Sequence, residues 1–108
     1  MSIRIEPALL SDSLVGREFV YLVTSAGARA HVVAMRCDVV GDRVTVTGAG
    51  RSASANISGN SHVSLVWPPS EIVVENRDYT IIADGSATVT GDEIEIVVTN
   101  AVFHRPAP

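Results

Sequence analysis

The sequence predicts a mainly β fold, an antiparallel barrel or sandwich of six short strands with one or two short helices. Apolar and polar residues alternate in short runs. The clearest run is residues 93–99, where Ile94, Ile96 and Val98 alternate with Glu93, Glu95 and Val97. Turn-forming residues such as Gly41-Asp42 and Gly91-Asp92 separate these runs. Short alternating runs with regular turn punctuation are typical of antiparallel sheets.

The alternation and the turns define each element in order. We expect strands at residues 19–24, 30–40, 43–47, 63–67, 79–90 and 93–99. Pro68-Pro69 ends the fourth strand because proline cannot donate to a strand ladder, and Asp84-Gly85 predicts a bulge within the fifth. Helical signals are weak: residues 7–16 predict a turn or two, and residues 53–60 predict one short helix.

Length and composition predict one cytoplasmic domain of 108 residues, with an N-terminal segment 1–18, a barrel 19–100 and a tail 101–108. The net charge is −4 and the chain has no Lys, which argues against a nucleic-acid partner. The first residues lack the pattern of a signal peptide, and no apolar run is long enough to span a membrane. The single Cys37 excludes an internal disulfide and fits a reducing compartment.

A loop of small residues, 48–52, joins an alternating strand to the short helix in the middle of the chain. Small side chains let backbone N–H groups approach a phosphate, and a helix N-terminus adds positive potential. Arg51 is the cation of this loop, and its guanidinium can hold two phosphate oxygens. The loop therefore predicts a phosphate site, although a plain Gly/Ser turn would have the same composition.

The order of these motifs resembles the pyridoxamine 5′-phosphate oxidase-like family. The matching stretches are RAHVVAM, VTVT, the small loop, VSLVW and DGSATV, which together span roughly residues 19–100. The resemblance implies a six-stranded Greek-key split β-barrel that forms a homodimer, with FMN in clefts at the dimer interface. Relatives with this fold bind a deazaflavin or haem instead of FMN.

The resemblance also implies which residues hold the cofactor. These are His31, Val32, Val33, Val46, Thr47, Arg51, Ser52, Asn56 and Trp67. The first three match the strand along the flavin ring, and Arg51 and Ser52 match the phosphate-binding Ser-Arg-Lys triplet. In the sequence itself, spacing typical of metal ligands is absent and no catalytic residue stands out.

Ala53 departs from the family pattern because it stands where the triplet has its lysine. Loss of one charge-assisted donor weakens phosphate binding by roughly 10- to 100-fold. Two functions therefore stay open. One is an FMN-binding oxidoreductase of unidentified substrate, whose cofactor does the hydride chemistry. The other is a non-catalytic dimeric module that holds a deazaflavin, haem or no cofactor.

Some of these residues have structural explanations as well. His31 shares a strand face with Val33 and Met35, which favours a buried, hydrogen-bonded histidine. Cys37 fits a small core residue. Trp67 fits the core or the dimer interface as well as it fits a stacking platform.

The opposite strand faces predict an interface. Val32, Ala34 and Val66 lie opposite the expected core, and exposed apolar residues favour a symmetric partner. The tail is expected to extend past the last strand toward the partner's cleft.

Overall fold

The computed structural model describes residues 1–72 and 74–107, which form one antiparallel sheet with a few short helical segments. The eight strands are β1 Ser2–Ile5, β2 Val20–Ala26, β3 Arg29–Met35, β4 Asp38–Val40, β5 Arg43–Thr47, β6 His62–Trp67, β7 Thr80–Thr90 and β8 Glu93–His104. The helical segments are a 3₁₀ turn at Pro7–Leu9, α1 at Leu10–Ser13 and α2 at Arg51–Gly59. The predicted mainly β class is confirmed.

The strands follow the spatial order β3-β2-β6-β7-β8-β5-β4, and β1 pairs with the end of β8. All pairs are antiparallel, although β2 neighbours β6 and β5 neighbours β8 far away in sequence. The two ends of this order, β3 and β4, do not pair with each other in the described residues. The sheet therefore has the predicted split-barrel architecture and stays open.

Three hairpins use the same two-residue turn. Gly27, Gly41 and Gly91 come first in these turns and have φ angles of 59°, 60° and 61°. The residue after each glycine has no positive φ, which is the pattern of a type II′ turn. This turn matches the twist of its strands, so the hairpin β2–β3 has a defined tip next to α2.

The predicted bulge lies in β7, where the register shifts between Asp84 and Gly85. A Cβ atom built on Gly85 would lie 2.5 Å from the carbonyl oxygen of Val97. The two backbones therefore approach so closely that only glycine fits at this position.

One hydrophobic core fills the inner side of the sheet. Its largest fully buried side chains include Trp67 from β6 and Leu22 from β2, and Leu10 of α1 is fully buried in the same core. On α2, Ala53 and Ile57 pack into it. The helix is thus held over one end of the sheet by its apolar face.

The structure corrects the predicted elements at several places, and α2 begins at Arg51 instead of residue 53. A strand that was not predicted, β1, pairs Ile3 with Phe103. The run 30–40 is two strands, because β3 ends at Met35 and β4 begins at Asp38. The tail 101–108 begins inside β8, which continues to His104 between β7 and β1. The last error arose because residues 100–104 lack the strict alternation of the preceding segment.

Candidate functional site

An open pocket of about 300 Å³ lies between the tip of the β2–β3 hairpin and the first turns of α2. It is lined by Ala26, Arg29, Ala30, His31, Ser52 and Asn56. The pocket therefore brings together three of the predicted site residues, from two elements distant in sequence. Its described lining includes a guanidinium, a hydroxyl, an imidazole and an amide, but no carboxylate.

The N-terminus of α2 contributes free backbone donors beside this pocket. Gly50 is the N-cap, with a φ angle of 95°, and no side chain of the described residues caps the helix. The Ser54 N–H donates to the Gly50 carbonyl at 3.2 Å, which leaves the N–H groups before it outside the helical ladder. Together with the helix dipole, these donors favour an anion.

A hydrogen bond between two side chains joins α2 to the sheet at the pocket. The Asn56 Nδ2 donates to Thr24 Oγ1 at 3.1 Å, and Thr24 is fully buried. Thr24 pairs with His31 across the β2–β3 ladder. The amide of Asn56 is thereby fixed against the strand pair that carries the other side of the pocket.

His31 is half-buried, and its Nδ1 is buried without a hydrogen-bond partner in the described residues. The expected hydrogen-bonded core histidine is therefore wrong in that respect. It does share a half-buried face with Val33 and Met35, as predicted. A buried polar atom with no partner costs about 1–3 kcal/mol, which a ligand or water can recover.

The first turn of α2, residues 51–53, has some side chains at the surface and one in the core. Arg51 and Ser52 are exposed in the first turn of α2, whereas Ala53 is fully buried. A lysine at position 53 would have to leave the apolar core to reach a phosphate. The cation that sequence reasoning missed is Arg29, at the tip of the hairpin. Its only signal was its position directly after the turn Gly27-Ala28.

Thr47 lies apart from this pocket. It is exposed at the end of β5 and lines a second open pocket of about 230 Å³ with Arg36, Cys37, Asp38 and Thr45. This second pocket lies between the segment that joins β3 to β4 and the neighbouring strand β5. The structure therefore does not place Thr47 with Ser52 and Asn56.

Two predicted site residues have their side chains in the core. Val46 and Trp67 are each 1% exposed. Trp67 has no exposed ring face for a cofactor, so its role is core packing and not stacking. It lies beside the half-buried Cys37, whose thiol pKa is raised chiefly by burial although a hydrogen bond with Trp67 opposes this shift. A raised pKa keeps this thiol protonated and weakly reactive at neutral pH.

The outer face of the sheet is apolar next to the split. Val32 is 57% exposed and Tyr21 is 37% exposed, while Ala34 is exposed and Val66 is half-buried. Tyr21 pairs with both Ala34 and Val66, so these side chains form one continuous patch. The predicted outward orientation of Val32 and Ala34 is confirmed.

Two further properties concern the described part of the chain as a whole. No three His, Cys, Asp or Glu side chains within residues 1–72 and 74–107 cluster as metal ligands would. None of the helices there has the length and apolar composition needed to cross a membrane.

Comparison by sequence finds no matching protein family and no matching curated protein. Solved structures do match. A proposed 5-nitroimidazole antibiotic resistance protein from Bacteroides thetaiotaomicron aligns with a TM-score of 0.70 at 10% identity, over 94% of this chain and 86% of that chain. An F420 reductase aligns with a TM-score of 0.55 at 19% identity, over 82% and 91%.

A third solved structure, a proposed pyridoxamine 5′-phosphate oxidase from Listeria innocua, aligns with a TM-score of 0.58 at 11% identity. The alignment covers 87% of this chain and 92% of that chain. At these identities the matches establish the fold. The chain has the split β-barrel fold of pyridoxamine 5′-phosphate oxidase-like proteins, as the resemblance implied.

Proposed function

We propose that this protein binds a flavin-type cofactor and acts as an oxidoreductase on a small-molecule substrate. The observation that carries the proposal is the pocket in which Arg29, His31, Ser52 and Asn56 meet the uncapped N-terminus of α2. Cations, hydroxyls and free N–H groups without a neighbouring carboxylate suit a phosphate group. The phosphate of FMN is the first candidate ligand.

The charge needed for a phosphate is available without the family lysine. Arg29 lines the pocket, and Arg51 begins the helix that forms its other side. Two guanidinium groups can provide more charge-assisted donors than one ammonium. The buried Ala53 then belongs to the core, and its presence does not argue against a phosphate ligand.

The free edge of β3 supports the placement of a flat ring near the phosphate pocket. β3 pairs only with β2 among the described strands, so its other edge carries backbone N–H and C=O groups outside the ladder. The flavin ring system has both donors and acceptors along its pyrimidine edge and could pair with such a strand. Bound there, the cofactor would supply hydride transfer, and this chain would hold and orient it.

The apolar outer face supports a homodimer. The patch formed by Tyr21, Val32, Ala34 and Val66 borders the edge strand β3, and a second copy would cover it. A partner at this face would also close the open side of the ring site. The half-buried free thiol of Cys37 fits a reducing cytoplasm, which we infer as the compartment.

A deazaflavin is the alternative cofactor, since an F420 reductase is among the structural neighbours and F420 is a deazaflavin. A non-catalytic binding module remains the alternative function. It is favoured by the lining of the described pocket, in which His31 is the one side chain suited to act as a general acid or base.

Absorption spectroscopy of the purified protein, followed by titration with FMN and riboflavin, tests this proposal. Flavin bands that stay with the protein through gel filtration, or tighter binding of FMN than of riboflavin, would support a phosphate-anchored flavin. A deazaflavin band would assign the alternative cofactor. A colourless protein that binds neither flavin nor deazaflavin would refute the cofactor and leave only the binding-module function.

A further inference from the structure

A separate groove of about 320 Å³ lies between the segment after α1 and the loop after β6. Its lining includes Arg17, Glu18, Phe19, Pro68, Glu71 and Ile72. None of these residues lines the proposed phosphate pocket. The groove combines apolar walls with acidic side chains, and each of these features restricts what it can bind.

The walls of the groove expose large apolar side chains. Phe19 is 39% exposed and Ile72 is 46% exposed. The ring of Phe19 packs edge-on against Tyr21, with ring centroids 5.3 Å apart and an interplanar angle of 85°. This contact orients Phe19, so an apolar ligand would meet a preformed aromatic wall.

The acidic side chains of the groove have no ion-pair partner in the part of the chain that the structure describes. Glu18 and Glu71 are exposed, and neither is in a salt bridge within the described residues. Arg17 is the one cation of the described lining, so two carboxylates there face one guanidinium, and that guanidinium bonds to backbone carbonyls and not to the carboxylates. Its Nη1 donates to the carbonyls of Pro68 at 3.0 Å and Tyr79 at 2.7 Å, while Nη2 donates to that of Asn76 at 3.1 Å.

Arg17 therefore fixes the loop that forms one wall and leaves both carboxylates available. The backbone of Gly16 lies close to the same wall, since a Cβ there would be 2.3 Å from Cγ1 of Ile72. Ser70 also donates to the Gly16 carbonyl at 3.2 Å. The groove is held in shape by these contacts before any ligand binds.

We propose that this groove binds an organic cation with an aromatic body, such as an amine or an amidine. The positive group would face Glu18 and Glu71, and the ring would pack against Phe19 and Ile72. Carboxylates attract the cation, and the aromatic wall adds apolar burial and a ring–ring contact. This site does not depend on the proposed flavin function.

Three small probes of similar shape and different charge test the inference on the 108-residue chain. Benzamidinium is the cation, benzamide the neutral analogue and benzoate the anion, and binding is followed by backbone amide NMR shifts. We expect benzamidinium to shift the amides of Gly16 to Phe19 and to bind roughly threefold to tenfold more tightly than benzamide. The double variant Glu18→Gln/Glu71→Gln should lose that preference while still binding benzamide.

Glu93→Gln is the matched control, because Glu93 is an exposed carboxylate on β8 without a described salt bridge. It should keep the preference for benzamidinium. Phe19→Ala should weaken benzamidinium and benzamide alike. Equal binding of all three probes, stronger binding of benzoate, or shifts confined to residues outside the groove would each overturn the inference.

Discussion

Asn56 of α2 donates from Nδ2 to the buried Oγ1 of Thr24 in β2 at 3.1 Å, and this bond ties the helix to the strand pair that forms the proposed phosphate pocket. Thr24 pairs with His31 on the neighbouring strand. Asn56 and His31 both line the pocket. The position of the N-terminal donors of α2, which form the proposed anion site, therefore depends on the buried hydroxyl of Thr24.

Thr24→Val keeps the shape of this buried side chain and removes the acceptor for Asn56. An unsatisfied amide at that position should cost about 1 kcal/mol of folding stability and let α2 shift relative to β3. FMN affinity should fall more than riboflavin affinity, because the shifted elements form the proposed phosphate site. Thr88→Val, at an exposed position on β7, is the control. Equal losses for the two ligands would assign Thr24 to folding alone.

Arg29→Gln should weaken FMN binding by roughly 10- to 150-fold, because each lost charge-assisted hydrogen bond is worth about 1.5–3 kcal/mol. Riboflavin, which lacks the phosphate, should bind the variant and the wild type about equally. Arg51→Ala should also weaken FMN binding. Fluorescence titration of both flavins measures each affinity.

The control for these arginine variants is Arg4→Gln. Arg4 is exposed on β1, and its one salt bridge among the described residues is with Glu6. If Arg29→Gln and Arg51→Ala both bind FMN as tightly as wild type does, the phosphate lies elsewhere and the pocket is misassigned.

Most of the strands, although not β1, could be predicted from the sequence because their signal is local. Alternation with a period of two and glycine turns depend only on neighbouring residues, as in the hairpin around Gly91. The pocket could not be assembled in the same way. Arg29 and Ser52 meet because β3 and α2 converge through a topology that joins β2 to β6, and nothing local in the sequence encodes that pairing.

Burial separates the remaining predicted site residues. Val46 alternates with polar neighbours, which indicates a strand but not which face of the strand points inward. Trp67 has a large apolar surface that suits a core as well as an aromatic stack. Only the packed structure shows that both side chains face the interior.

Val32→Glu should convert the proposed dimer into a monomer. Val32 is 57% exposed in the apolar patch, and a symmetric interface would bury two introduced carboxylates without partners. Val40→Glu is the control, because Val40 is 78% exposed on β4, outside that patch. Sedimentation equilibrium measures the mass. A wild-type chain that is already an 11.4 kDa monomer at micromolar concentration would refute the dimer.

Removal of residues 103–108 should lower the melting temperature. Phe103 and His104 lie in β8 and pair with β1 on one side and β7 on the other. Phe103 also packs against Tyr79, with ring centroids 6.1 Å apart. Removal of residues 106–108 alone should leave stability nearly unchanged. If the longer truncation melts like the wild type, the end of β8 does not contribute to stability in solution.

Gly85→Ala should destabilise the fold by about 1–3 kcal/mol, because its Cβ would lie 2.5 Å from the Val97 carbonyl oxygen and 2.8 Å from Cγ2 of Ile96. Relief would require the strands β7 and β8 to separate at the bulge. Gly59→Ala is the matched control, since a Cβ at Gly59 meets nothing within 4 Å and the residue lies in the last turn of α2. Alanine there should be neutral or stabilising by up to about 1 kcal/mol. Urea denaturation measures both variants, and a Gly85→Ala variant as stable as the wild type would show that the two strands can separate at the bulge without cost.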